Sequence, residues 1–185
     1  MTLSLGAFDG GLRRVAAKLE LLFGIDRIVE LHGSDADLGP LFHHELFHLY
    51  HGQFDSNQDR SDDRTVGDSL WSEGLAVYVS KRLNPKSSHR ALLIPDDLLQ
   101  RGQAQIRSLA TELRSKLSSK SPQDYRDFFL VASTRKDIPP RAGYFVGLRV
   151  AETVAQKVSL SEMVRLRGKK LSIVIDKALR ALEDN

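Results

Sequence analysis

The chain has no cysteine, which excludes disulfides, thiolate metal sites and a cysteine nucleophile, and leaves His, Asp and Glu as its only strong metal ligands. It has no run approaching the roughly 20 apolar residues of a membrane span. Its opening, MTLSLGAFDGG, lacks the charged start and long apolar stretch of a secretory signal. An excess of one charge is missing as well: 27 basic and 24 acidic residues leave a formal net charge of +3, too even a balance to indicate a nucleic-acid partner. Internal repeats and low-complexity tracts are absent, and the one compositional break is the polar, acidic stretch 52 to 65, which reads as a solvated loop. These absences describe a soluble chain, cytoplasmic as given and periplasmic or secreted if a leader has been removed. That second option stays open because TLSLGAF is a short β-like run ended by Asp9-Gly10-Gly11, as though the chain began inside a structured element.

What is present suffices for one core. With 185 residues, 41% of them hydrophobic, residues 1–185 are expected to form a single domain, N-terminally truncated if Met1 is not the natural start. Residues 12 to 32 are too densely apolar for periodicity alone to separate strand from helix, and the reading favours a strand at 19 to 24. From Leu38 to Tyr50 the apolar positions Leu41, Phe42, Leu46, Phe47 and Leu49 predict a helix, with Ser34 and Asp35 as cap candidates. A second helix is predicted over 66 to 82, ended by Asn84-Pro85. Four more are expected at 94 to 118, 122 to 131, 142 to 158 and 171 to 183, separated by Pro139-Pro140 and Gly168. The predicted fold class is α+β, mainly helical with a small N-terminal β-sheet packed beside the first of the two motif-bearing helices.

His44-Glu45-Leu46-Phe47-His48 is the most informative string. Residues four apart share one face of a helix, so both imidazoles can reach one ion while Glu45 stands beside them as a candidate general base. The bland alternative is a partly exposed histidine pair; from the chain's own composition such a string arises by chance in roughly one in a hundred sequences of this length. A catalytic zinc normally takes three protein ligands, so a third is required. A metzincin would carry a glycine and a third histidine at positions 51 and 54, where this chain has His51 and Phe54. The better candidate is Glu73, 25 residues after His48 in the string LWSEGLAVY on the next predicted helix.

HExxH followed by this W-x-E-G-L-A-x-Y string resembles the gluzincins, and in particular their predicted zinc-dependent proteases. The resemblance covers residues 40 to 80, with RAGYFVGLRVAE at 141 to 152 similar to the family's C-terminal segment. It implies a zincin-like domain, one zinc per chain on His44, His48 and Glu73, and a catalytic role for Tyr144 as hydrogen-bond donor to the tetrahedral intermediate. The structural alternative for Tyr144 is a ring packed at a helix start. The interval from His48 to Glu73 is longer than in the well-known aminopeptidases and thermolysin-like enzymes, and no Gly-Ala-Met-Glu-Asn string is present, so their specificities do not carry over.

The expected function is a zinc-dependent peptidase: zinc lowers the pKa of its water towards about 7 and polarises the scissile carbonyl, and Glu45 moves the proton. The expected partner is a peptide or protein substrate. Two other readings use the same residues, a zinc hydrolase of non-protein amides and a catalytically silent, zinc-stabilised binding domain; the second has no use for Glu45. His43 and His51 fall off the metal-facing line and are expected at the surface or behind the ligands. Asp68 or Asp26 are candidates to orient an imidazole, and Trp71 is expected in the core. Arg141 and Arg149 can bind a substrate carboxylate, though solvated arginines are the plainer reading. Asp9-Gly10-Gly11 either closes an edge strand on which a peptide pairs or makes a plain turn.

Overall fold

The computed structural model describes residues 2–4, 9–16, 18–33, 36–54 and 64–184. Ser34 and Asp35, and most of the acidic loop, lie outside these residues. The chain opens with three strands, β1 (Thr2–Ser4), β2 (Gly10–Val15) and β3 (Lys18–Gly24). β3 is central, parallel to β1 and antiparallel to β2, with the register of the hairpin running from Gly10 opposite Phe23 to Val15 opposite Lys18. Ala16 turns this hairpin at φ 47°, in the left-handed region that tight two-residue connections require. The expected strand at 19 to 24 is therefore present. Asp9-Gly10-Gly11 is no plain turn, because both glycines belong to β2, an edge strand.

β3 runs straight into α1 (Ile25–His32), so the dense apolar stretch holds strand and helix in succession. Phe23 and Ile28 from it join Leu41 and Leu93 in a small core beneath the sheet. α2 (Gly39–Gly52) starts with Pro40 in its first turn, where a missing N–H costs nothing, and the Asp37 carboxylate accepts from the Gly39 amide at 3.1 Å. α3 (Val66–Leu83) begins with a reciprocal cap: Thr65 accepts from the Asp68 amide, and the Asp68 carboxylate accepts from the Thr65 amide.

The second half is helical: α4 (Asp96–Ala104), α5 (Ile106–Ser115), α6 (Pro122–Phe129), α7 (Ala142–Ala155), α8 (Leu160–Met163) and α9 (Gly168–Glu183). The helix expected over 94 to 118 is two, because Gln105 leaves helical geometry (φ −109°, ψ 13°). α4 packs on α7, and α5, with Leu109, Ala110 and Leu113 buried, packs on both α9 and α7. The main core lies around α3, with Leu70, Trp71, Leu75, Val146, Val150 and Leu179 fully buried. α3 and α7 pack backbone to backbone at Gly74 and Gly147: a Cβ on Gly74 would fall 2.2 Å from the Gly147 carbonyl carbon. The architecture is α+β with helix dominant. No helix among the described residues is long and apolar enough to cross a membrane.

Candidate metal centre

α2 places His44 and His48 one turn apart on the side that faces α3, and α3 presents Glu73 between them. The Nε2 atoms of His44 and His48 are 3.0 Å apart, and the Glu73 Oε2 lies 3.2 Å from the first and 3.3 Å from the second. Three donor atoms at these separations form one face of a tetrahedron. Metal–ligand bonds of about 2.0–2.1 Å give tetrahedral edges of roughly 3.3–3.4 Å, so the set fits zinc almost without adjustment. Its chemistry fits too, with two imidazoles and one carboxylate in place of the four ligands of a closed structural site. The aspartates, glutamates and histidines elsewhere among the described residues form no other group of three with this closeness.

The surroundings hold each donor in place. The Nδ1 of His48 is 3.3 Å from the Ser72 hydroxyl, which can accept its proton when Nε2 is used as a ligand. His44 is 1% exposed and its ring is stacked 5.9 Å from that of Tyr144, at an interplanar angle of 14°. Its Nδ1 is buried without a hydrogen-bond partner among the described residues. Behind the ligands, His43 Nδ1 meets the Asn84 amide nitrogen at 2.9 Å, and the Ser80 hydroxyl donates to the Pro40 carbonyl at 2.8 Å. These two contacts clamp the start of α2 to the end of α3.

Glu45 sits one residue round the helix from His44 and faces β2. It is 7% exposed, and only a glycine fits opposite it, since a Cβ on Gly10 would lie 2.9 Å from its Cγ. Burial raises the pKa of its carboxyl, with the charges of Glu73 and Asp9 adding to the effect and those of the two histidines opposing it. Burial works the same way on Glu73, but the two imidazoles outweigh it and hold that carboxyl well below its ordinary range. For His48 burial disfavours the imidazolium, and Glu73 more than compensates, leaving its pKa raised. Burial pushes the Tyr144 phenol well above its usual value, so it remains a hydrogen-bond donor at any physiological pH. A buried carboxyl with raised proton affinity and a phenol that keeps its proton thus flank the same three side chains.

All of this opens on a cleft of about 1040 Å³, whose walls include Glu45, His48, Glu73 and Tyr144, with Gly10 to Arg13 of β2 along one side. The chain matches no protein family, no curated protein and no solved structure in the comparisons made with each. The geometry alone carries the reading.

Some side chains stand elsewhere than the sequence suggested, and others, Trp71 and Arg149, stand where it placed them. Neither Asp68 nor Asp26 orients an imidazole: Asp68 is consumed by the cap of α3, and Asp26 is exposed in the first turn of α1. Ser72 takes that place, and no sequence signal marks it beyond its position next to Glu73. Of the two places expected for His51, at the surface or behind the ligands, the surface is excluded: it is buried, stacked on Phe47 with ring centroids 5.5 Å apart, and its carbonyl accepts from Arg167. Trp71 is in the core at 1% exposure. Arg149 is exposed and paired with Glu152 at 2.7 Å, as the plainer reading had it. Arg141 is half-buried in the cleft wall with its guanidinium 4.6 Å from the centre of the Tyr144 ring, so the solvated reading fails for it.

Proposed function

We propose that the protein is a zinc-dependent peptidase of the gluzincin type, with a zincin-like fold. The observation that supports this best is the tetrahedral face made by His44, His48 and Glu73 with the buried carboxyl of Glu45 beside it. One zinc ion on these three ligands would supply Lewis acidity to the scissile carbonyl and acidify water. Glu45 would accept the proton of the attacking water and pass it to the nitrogen of the leaving amine. Its raised pKa suits that exchange, since a base that binds its proton more tightly than an ordinary carboxylate is better able to deliver it to an amine in the next step. Tyr144 would donate its phenolic hydrogen to the oxygen that becomes negative as the carbonyl is attacked.

A peptide is favoured as substrate by two features of the cleft. Its volume stands at the upper limit of small-molecule pockets, which run to roughly 1,000 Å³. One wall is an edge strand, β2, whose outward N–H and C=O groups suit main-chain pairing with an extended chain.

The test has two parts. Zinc content, measured by elemental analysis on wild type and Glu73→Ala purified without chelator or nickel, should be near one per chain in the first and clearly lower in the second. Hydrolysis of unfolded casein should then be abolished by a chelator and restored by zinc. Equal zinc in both proteins would remove Glu73 from the ligand set, and a zinc-loaded wild type that leaves casein, gelatin and short peptides intact would remove the peptidase reading.

A further inference from the structure

Arg141 occupies a position that packing alone does not explain. It precedes α7 at φ 60°, a left-handed conformation that side-chain-bearing residues seldom adopt and that tends to persist where surrounding structure holds a functional group in place. The guanidinium lies over the face of Tyr144, and Tyr144 is in turn stacked on His44. A cation is thereby set one aromatic ring away from a candidate zinc ligand, on the cleft side.

Arg141 donates a hydrogen bond to the Tyr144 side chain as well as lying over its ring, and the remaining N–H groups of its five are available to a bidentate acceptor. No described carboxylate takes them in an ion pair. Asp9, whose charge reaches it, is already engaged by His32 Nε2 at 3.0 Å and by the Gly10 amide at 3.1 Å. Arg141 lines the cleft beside Tyr144, within reach of the space a substrate would fill.

The rest of the cleft has the same sign. Its described lining carries Arg13, Arg27, Arg64, Lys120, Arg126 and Arg141, against the carboxylates Asp9, Glu45 and Glu73. Glu45 and Glu73 face the histidines and Asp9 is held by His32. A wall of this charge raises the local concentration of anionic ligands and disfavours cationic ones. We infer that Arg141 seats a carboxylate of the substrate beside the metal centre, which makes the cleft selective for peptides with an acidic group at that register. The inference rests on the peptidase reading and names its substrate class.

Binding without turnover tests it on the zinc-loaded Glu45→Gln protein. The probes are fluorescein-labelled Ala/Leu octapeptides with an amide terminus, one Glu being moved through the sequence, together with a Gln control carrying the amide and the same control with a free carboxylate. Anisotropy titration should show at least one Glu position, or the free terminal carboxylate, binding about tenfold or more tightly than the amidated Gln control. The first result identifies a side-chain carboxylate and the second a chain terminus. In an Arg141→Asn background, where Asn tolerates the left-handed backbone, the preference should vanish; Arg141→Lys should keep part of it, and Arg149→Gln all of it. No preference for any carboxylate, or a preference that survives Arg141→Asn, overturns the proposal. Should Arg141→Asn fail to fold, Arg141→Lys carries the comparison, and a preference undiminished in it overturns the proposal. Failure of the peptidase reading would look different, as carboxylate-selective binding by a zinc-loaded wild type that leaves every probe uncut.

Discussion

α2 and α3 share the candidate metal centre but are built to different standards. In α3, twelve of the eighteen residues are buried and its backbone touches that of α7. In α2 six of fourteen are buried, and Leu46, Leu49 and Tyr50 face solvent. The buried helix contributes one candidate ligand, Glu73, and the half-exposed one contributes two candidate ligands and the proposed base. A carboxylate on a fixed rail can hold the position to which the histidines of a less constrained helix are fitted, and the His43–Asn84 and Ser80–Pro40 contacts set the distance between the two. Disturbing α3 should therefore cost the fold, whereas changing Glu45 on α2 should cost only chemistry.

The sharpest test of that division is Glu45→Gln. It should lower casein hydrolysis by about 10²–10⁴-fold, the range typical of a lost general base, with zinc content and thermal midpoint unchanged. A large loss of stability would show that Glu45 is part of the scaffold. On the other helix, Gly74→Ala drives a methyl group into the Gly147 backbone and should cost about 3 kcal/mol or more, read as a drop in the urea midpoint. An unchanged midpoint would mean that the two helices are free to separate. Ser72→Ala, which removes the hydroxyl facing His48 without touching a ligand, should weaken zinc binding by roughly 10–100-fold in competition with a chromophoric chelator.

Smaller effects probe the sheet side. Burial raises the pKa of Asp9, but its bond to His32 and the charge of Arg141 outweigh this and leave it lowered. Ionised Asp9 therefore stabilises the fold, fully so above the ordinary value of 3.8, and that contribution disappears as pH falls through the lowered native value. The gap in urea midpoint between wild type and Asp9→Asn should be constant at neutral pH and close in acid; a gap that widens in acid would reverse the assignment. Least of all should come from the outer face of α2, where Leu46 is 50% exposed. Leu46→Ala should stay within about 0.5 kcal/mol by the same measurement.

Local sequence made much of this legible. The i, i+4 histidines and the helix that bears them follow from periodicity, because a helix turn brings those positions together whatever the surroundings. β3 was readable within two residues, and α3 from its apolar spacing and the Asn84-Pro85 stop. The break at Gln105 was not legible, because apolar spacing runs on across it through Leu98, Leu99, Ile106, Leu109 and Leu113. The same holds for Ser72 and for the burial of His51: each depends on what lies across from it, and a residue's own identity says little about that.

By itself the sequence determined the composition of the candidate centre: two imidazoles and a carboxylate on one helix face, a second carboxylate on the next helix, and no thiolate to compete. Only the tertiary structure decided that Glu73 closes the triangle at 3.2 and 3.3 Å, that Gly10 makes room for Glu45, and that Arg141 stands over Tyr144 in the cleft wall. The physical reason is range. Helix periodicity acts over one turn of the chain, whereas the distances between α2, α3, β2 and α7 are set by close packing of segments up to a hundred residues apart in order of magnitude, which no local pattern records.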